Sequence, residues 1–370
     1  MVLLMRIAVA KPSASAGPHE SRKLKLPGNI TIGGLFPLHE DGSSRGRHCG
    51  RIKADKGIQR MEAMLYAVRE INGRQELLPG LHLGMDIVDT CSQDTHALEQ
   101  TLEFIRSSMA TENSENFVCA DESRPRMLIP RTPTVAVIGA ASSQVSSMVA
   151  NMLRLFKIPQ ISYSSTSSQL SDKGRFEYFS RVVPSDTLQA KAMVSVVEAL
   201  GWNYVHALAD EGNYGEKGIE SFKKLASERG TVCIGEYHKL RPDFKEEDFK
   251  AVLDKLLTKK SARGVIMFVG EDNVRKLLKA AHPLSGHFAW VASDSWGTKR
   301  SPVSNTMEAE AANGAITIQS KRKRHQGFDE YFTQLTLDQA QINPWFEEFW
   351  ADRFNCTQKQ MKEKNCPGKL

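Results

Sequence analysis

The sequence predicts an α/β protein built as two doubly wound parallel-sheet lobes, and three observations carry that prediction. Short apolar runs of strand length alternate with amphipathic helical periods along most of the chain. The rhythm begins twice, once before and once after Asp186. A length of 370 residues also exceeds what one hydrophobic core organises. With 41% hydrophobic and 25% charged residues the composition is that of an ordinary globular chain. The formal charge of +6 lies largely in short runs, KKSAR (259–263), KRKRH (321–325) and KQMKEK (359–364). These read as solvated loops and helix ends. A nucleic-acid surface would bring interleaved aromatics or a known module, and neither is present. No stretch approaches eighteen apolar residues, so no transmembrane helix is predicted.

In order, residues 1–28 show no periodicity and read as leader or disordered; MVLLMRIAVA makes a poor signal peptide because Arg6 interrupts it. ITIGGLFPL (30–38) is the first strand and HEDGSSRGRHCG (39–50) a flexible loop. Gly57 to Asn72 is an amphipathic helix, with Ile58, Met61, Met64, Leu65 and Val68 on its apolar side. LHLGMDIVD (81–89) is a strand, Thr95 to Met109 a helix, and 110–133 a polar excursion. TVAVIG (134–139), the helix from Val145 to Phe156, IPQISYS (158–164) and FSRVVP (179–184) complete the first lobe. The second alternates helices from Leu188, Lys217, Phe249 and Val274 with strands at 202–209, 231–240, 263–270 and 288–294. GAITIQ (314–319) is a strand placed at a crossing back to the first lobe. The aromatic-rich helices after it pack there as core.

Ligands of open parallel sheets sit beyond the carboxyl ends of the strands. Three successive strand ends, at Ala140–Ser143, Ser164–Thr166 and Ser185–Asp186, offer hydroxyls, helix N–H groups and one carboxylate, with no Cys, His or Lys. That is chemistry for the carboxylate and ammonium of a small zwitterion. A serine enzyme would want a G-x-S-x-G elbow, and a dinucleotide site a G-x-G-x-x-G after the first strand; both are missing. Metal ligation is not expected either, since C-x9-C with no second cysteine pair or histidine nearby is not zinc spacing.

At LFPLHEDG, KGIQRMEAMLYAVREIN, DTCSQDTHALEQ, LRLFKIPQISYSSTSSQLSD, FSRVVPSDTLQAKAM, EGNYGEKG, GHFAWVASDSWG and GAITI, the sequence resembles the extracellular ligand-binding domain of metabotropic glutamate receptors. These are class C G-protein-coupled receptors, and the pattern is closest to the third subgroup. The resemblance implies a bilobed Venus flytrap, of periplasmic-binding-protein-like type I, that binds L-glutamate or a related acidic amino acid in its cleft and takes no cofactor. It divides the chain into a leader (1–28), lobe 1 (29–185), lobe 2 (186–313) and a return to lobe 1 (314–370).

Carried over by motif, Lys56 and Arg60 are expected at the distal carboxylate, one helical turn apart on one face. Alone they could be a solvated pair. Lys299 adds a further cation, the pattern of the third subgroup. Ser142 and Ser143, which could also be an N-cap, and Ser164, Ser165 and Thr166 are expected around the α-carboxylate and part of the ammonium. Asp186 from the hinge, and Tyr214 and Asp294 from the second lobe, are expected over the ammonium. The resemblance also implies bridges Cys49–Cys91 and Cys356–Cys366, an intermolecular bridge at Cys119, an unpaired Cys233, and a homodimer through lobe 1 using the helix from Val145. It places the full receptor at the cell membrane, ligand domain outside, followed by cysteine-rich and seven-helix domains. The family's domain continues past residue 370 with another lysine-bearing helix, so a fragment or alternative product is expected, secreted or partial. A soluble decoy that binds an amino acid without signalling is the competing reading.

Overall fold

The computed structural model describes residues 22–42, 46, 48–54, 56–109, 132–338, 340–362, 366, 368 and 370. The first lobe runs through β1 (Leu24–Leu26), β2 (Ile30–Phe36), β3 (His39–Asp41), β4 (Cys49–Ile52), α1 (Gly57–Gly73), β5 (Leu83–Asp89), α2 (Asp94–Met109), β6 (Thr134–Ile138), α3 (Ser143–Leu153), β7 (Gln160–Ser162) and β8 (Phe179–Arg181). Its sheet is ordered β1-β5-β2-β6-β7-β8, parallel except where β1 meets β5. Helices cover both faces, which is why β5 is buried along its whole length. On one face Ile58, Met61, Met64, Leu65 and Val68 of α1 pack with Phe36, Met85 and Ile87. On the other, Phe104 and Ile105 of α2 and Val145, Val149 and Leu153 of α3 pack with Leu35, Val88 and Val137.

The second lobe comprises α4 (Asp186–Ala199), β9 (Tyr204–Asp210), α5 (Asn213–Arg229), β10 (Cys233–Leu240), α6 (Glu246–Leu257), β11 (Gly264–Phe268), α7 (Glu271–Ala281), β12 (Ala289–Ala292), α8 (Thr306–Ala311) and β13 (Ile316–Thr317). Its sheet, β10-β9-β11-β12-β13, is wholly parallel. The chain then returns to the first lobe as α9 (Gln326–Gln334), α10 (Phe346–Phe354) and α11 (Gln358–Lys362), and Trp345, Phe346, Phe349 and Trp350 join the core of α1. Buried Glu62 of α1 accepts hydrogen bonds from the Tyr331 hydroxyl (2.8 Å) and the Asn343 amide (2.7 Å), stitching this return to the lobe.

Four local expectations change. Within residues 39–50, expected as a flexible loop, β3 and the start of β4 pair antiparallel as a short hairpin. Residues 24–26, inside the stretch read as leader or disordered, form an edge strand; three residues are too few to show a period. The strand at 316–317 pairs with β12 through Val291 and Ala292, so it belongs to the second sheet and the return follows it. The helices α4, α5, α6 and α7 begin two to four residues before the expected Leu188, Lys217, Phe249 and Val274, because their opening turns carry no aliphatic residue and leave no periodic signal. Both intrachain disulfides form, Cys49–Cys91 and Cys356–Cys366, with Cα–Cα distances of 4.9 and 5.8 Å. Cys233 is free and exposed, and Cys119 lies outside the described residues. No helix among the described residues is long and apolar enough to cross a membrane.

Candidate functional site

Strand order reverses between β2 and β6 in the first sheet and between β9 and β11 in the second. The residues that follow these strands face each other across a cleft of about 690 Å³, where a doubly wound fold places its ligand. The lobes touch beside it, where the Ser167 hydroxyl donates to the carbonyl of the lining residue Asn213 at 2.9 Å. Gly215 lets α5 start hard against β9, since a Cβ there would lie 2.2 Å from the Asp210 carbonyl oxygen.

Nine of the eleven expected residues line the cleft: Lys56, Arg60, Ser142, Ser143, Ser164, Thr166, Tyr214, Asp294 and Lys299. Ser165 and Asp186 stand behind the wall. The Ser165 hydroxyl is fully buried and spent on the Ser146 hydroxyl at 2.7 Å, tying α3 to the end of β7. Asp186 is the first residue of α4, placed there by the Ser185 cap. Its Oδ1 accepts from the Gln189 amide at 2.8 Å, and its Oδ2 is buried with no hydrogen-bond partner among the described residues.

The basic side is crowded. The Arg60 guanidinium lies 5.3 Å from the Tyr163 ring centre and 3.4 Å from the Ser164 hydroxyl. Tyr163 is fixed in turn, stacked on Phe36 and donating to the Leu35 carbonyl at 2.9 Å. Lys56 precedes α1 in a left-handed conformation, φ 63°. Its pKa is lowered by burial first and then by the charges of Lys299, Arg60 and Arg322. Lys299 is paired with Glu271 at 2.7 Å, so one carboxylate already shares this cluster. Three lining cations escaped the motif reading. Lys53 is buried enough that its pKa also falls, and Lys321 and Arg322 come from the KRKRH run, which is exposed as expected and still lends these two to the cleft lining. The K-x-x-K-x-x-x-R spacing at 53, 56 and 60 was the available signal for Lys53. Nothing local marks Lys321 and Arg322, which the crossing after β13 delivers.

The remaining wall is acidic and hydroxylic. The Tyr214 hydroxyl lies 2.9 Å from Asp294 Oδ1 and 2.7 Å from the Ser293 hydroxyl; it donates to the former and accepts from the latter. The Asp294 N–H donates to Gln189 Oε1 at 2.9 Å, and Gln189 Nε2 donates to Asp186. Gln189, which no motif marks, thus links the Asp186 carboxylate to the Asp294 backbone. Burial, then the charge of Asp294, raises the pKa of Asp186 to about 7. Ser143 begins α3, whose first N–H groups have no intrahelical acceptors. Its hydroxyl accepts from the Ser167 N–H at 3.1 Å and keeps its own proton to donate. Four potential metal ligands, His39, Cys49, Asp89 and Cys91, also converge, but both sulfurs are in one disulfide and His39 is hydrogen-bonded to Asp89.

This arrangement holds a cation cluster, donors at a helix N-terminus and a carboxylate pair around one cavity. Comparison with known proteins agrees with the fold. The chain is 47% identical to metabotropic glutamate receptor 6 of Oryctolagus cuniculus over 361 residues, 96% of this chain and 41% of that protein. It is 49% identical to receptor 4 of Rattus norvegicus and to receptor 8 of Homo sapiens, over 92% and 91% of this chain and 37% of each relative. It therefore spans about two-fifths of the length of these relatives. Residues 59–366 match the model described as "Receptor family ligand binding region", and the chain belongs to that family.

Proposed function

We propose that this chain binds L-glutamate, or a related acidic α-amino acid, in the interlobe cleft, as the extracellular part of a G-protein-coupled receptor at the cell membrane. The observation that carries the reading is the pairing, in one cavity, of a cation cluster with an acid–hydroxyl wall drawn from both lobes. Lys56, Arg60 and Lys299 would meet the distal carboxylate, and Arg60 suits a planar carboxylate in two-point contact. Ser143, Ser164, Thr166 and the start of α3 would hold the α-carboxylate. Asp294, under Tyr214, would take the ammonium, with Asp186 supplying charge from behind. Because Tyr214 and Asp294 belong to the second lobe, their contacts with a ligand held on the first exist only in the closed form, and binding favours closure.

The serines have partners suited to holding a ligand rather than activating a nucleophile, which supports a binding protein over an enzyme. Closure would be passed on through a homodimer. On the α2–α3 side of lobe 1, Leu102 of α2 and Leu155 and Phe156 after α3 are 38%, 72% and 40% exposed, apolar surface of the sort a second copy covers. Cysteine-rich and seven-helix domains would follow in the full receptor. Calorimetry of the purified chain with L-glutamate, D-glutamate and glutarate tests the ligand assignment. L-Glutamate should bind at least roughly thirtyfold more tightly than glutarate, because losing one charge-assisted partner at a desolvated site costs about 2–5 kcal/mol. Equal affinity for all three would refute it.

A further inference from the structure

Two asparagines head N-x-T triplets, Asn29-Ile30-Thr31 and Asn355-Cys356-Thr357, and the fold treats them differently. Asn29 is docked at the entry to β2. Its N–H donates to the His82 carbonyl at 2.7 Å, and its Oδ1 accepts from the His82 N–H at 2.6 Å. The threonine of that triplet is buried and hydrogen-bonded to the Thr132 hydroxyl. Asn355 instead ends α10 in the left-handed conformation, φ 52° and ψ 43°, where asparagine is tolerated better than most residues. It is exposed, and its side chain makes no hydrogen bond among the described residues. Thr357 is exposed as well.

The residue between them is Cys356, bridged to Cys366. A disulfide in the triplet itself marks passage through an oxidising compartment, of the kind in which asparagine is glycosylated. Its surroundings leave room. Asn355 leads out of α10, which packs with α1 on one face of the first sheet, whereas the exposed Leu155 and Phe156 follow α3 on the other. A branched sugar at Asn355 would meet solvent and leave the α2–α3 side free for a second copy.

We propose that Asn355 carries an N-linked glycan and that this glycan keeps the α10 side of the lobe solvent-facing. The full chain, preceded by a cleavable secretion signal, would be translated with endoplasmic-reticulum microsomes, and only protease-protected chains read. Treatment with peptide-N-glycosidase F in heavy-oxygen water should convert Asn355 to labelled aspartate and shift the chain's mobility by one glycan. Asn355→Gln should lose that step. Because Asn355 also ends α10, Thr357→Ala, which keeps the asparagine, is the decisive variant and should lose it too, whereas Thr357→Ser and Asn29→Gln should retain it. An unlabelled Asn355 peptide from protected chains, or a step that survives in Thr357→Ala, would overturn the assignment.

Discussion

Replacing Asp294 by asparagine tests the clamp with little change of shape. The amide oxygen can still accept from Tyr214, as Asp294 Oδ1 does at 2.9 Å, and the backbone link to Gln189 is untouched. What disappears is the charge facing the ammonium. Truncating one partner of a desolvated charge pair costs roughly 2–5 kcal/mol. Here the loss should fall near the low end, because Asp186 gains what Asp294 gives up. Burial and the charge of Asp294 hold Asp186 at about 7. Without that charge its pKa falls, and it ionises more fully at neutral pH. The net expectation is about 2–3 kcal/mol, or roughly 30- to 150-fold weaker L-glutamate binding.

The pH profile supplies the sharper half of the test. In the free protein Asp186 has a raised pKa, and a bound ammonium favours its ionised form, so below about 7 binding must release a proton. Affinity should therefore rise with pH up to about 7 and level off above it, and in Asp294→Asn the inflection should move to lower pH. Calorimetry in two buffers of different ionisation enthalpy would count the released protons directly. Unchanged affinity in the variant, or an inflection that stays in place, would remove the coupling between hinge and far lobe.

Other expectations follow from the same geometry. Arg60→Ala should weaken L-glutamate binding roughly tenfold or more, measured by calorimetry, because it strips the distal carboxylate of a charged hydrogen-bond partner. Lys321→Ala with Arg322→Ala should weaken binding and flatten its dependence on ionic strength, since both line the cleft. Burial alone would push His39 down, but hydrogen bonds and charge from Asp89 and Glu348 outweigh it and raise its pKa to about 9. Its contribution to stability is thus complete below its ordinary value of 6.5 and lost as pH rises through 9. Thermal melts should show that loss, and His39→Gln should flatten it. Cys119→Ser should abolish a dimer band in non-reducing electrophoresis of secreted protein.

What could be read in the sequence was whatever repeats locally. The strands around Ile30–Phe36, Leu83–Asp89 and Gly264–Phe268 and the apolar stripe of α1 announced two α/β units, because side-chain spacing along an element is a local property. Strand ends carrying Ser143, Ser164 and Thr166 pointed to a zwitterion, and the family likeness added Lys56, Arg60, Tyr214 and Asp294. The first turns of α4, α5, α6 and α7 are not legible there because they carry no aliphatic residue and so have no period to show. Only the tertiary structure decided the rest. It set β13 into the second sheet, brought the exposed Lys321 and Arg322 alongside the cleft, and placed Ser165 and Asp186 behind the wall. It also tied the Asp186 carboxylate to the Asp294 backbone through Gln189, whose bond to Asp294 spans 105 positions of sequence. Such couplings depend on distances between strand ends and helix starts far apart in sequence, and those distances are set by sheet order and crossovers rather than by any local pattern.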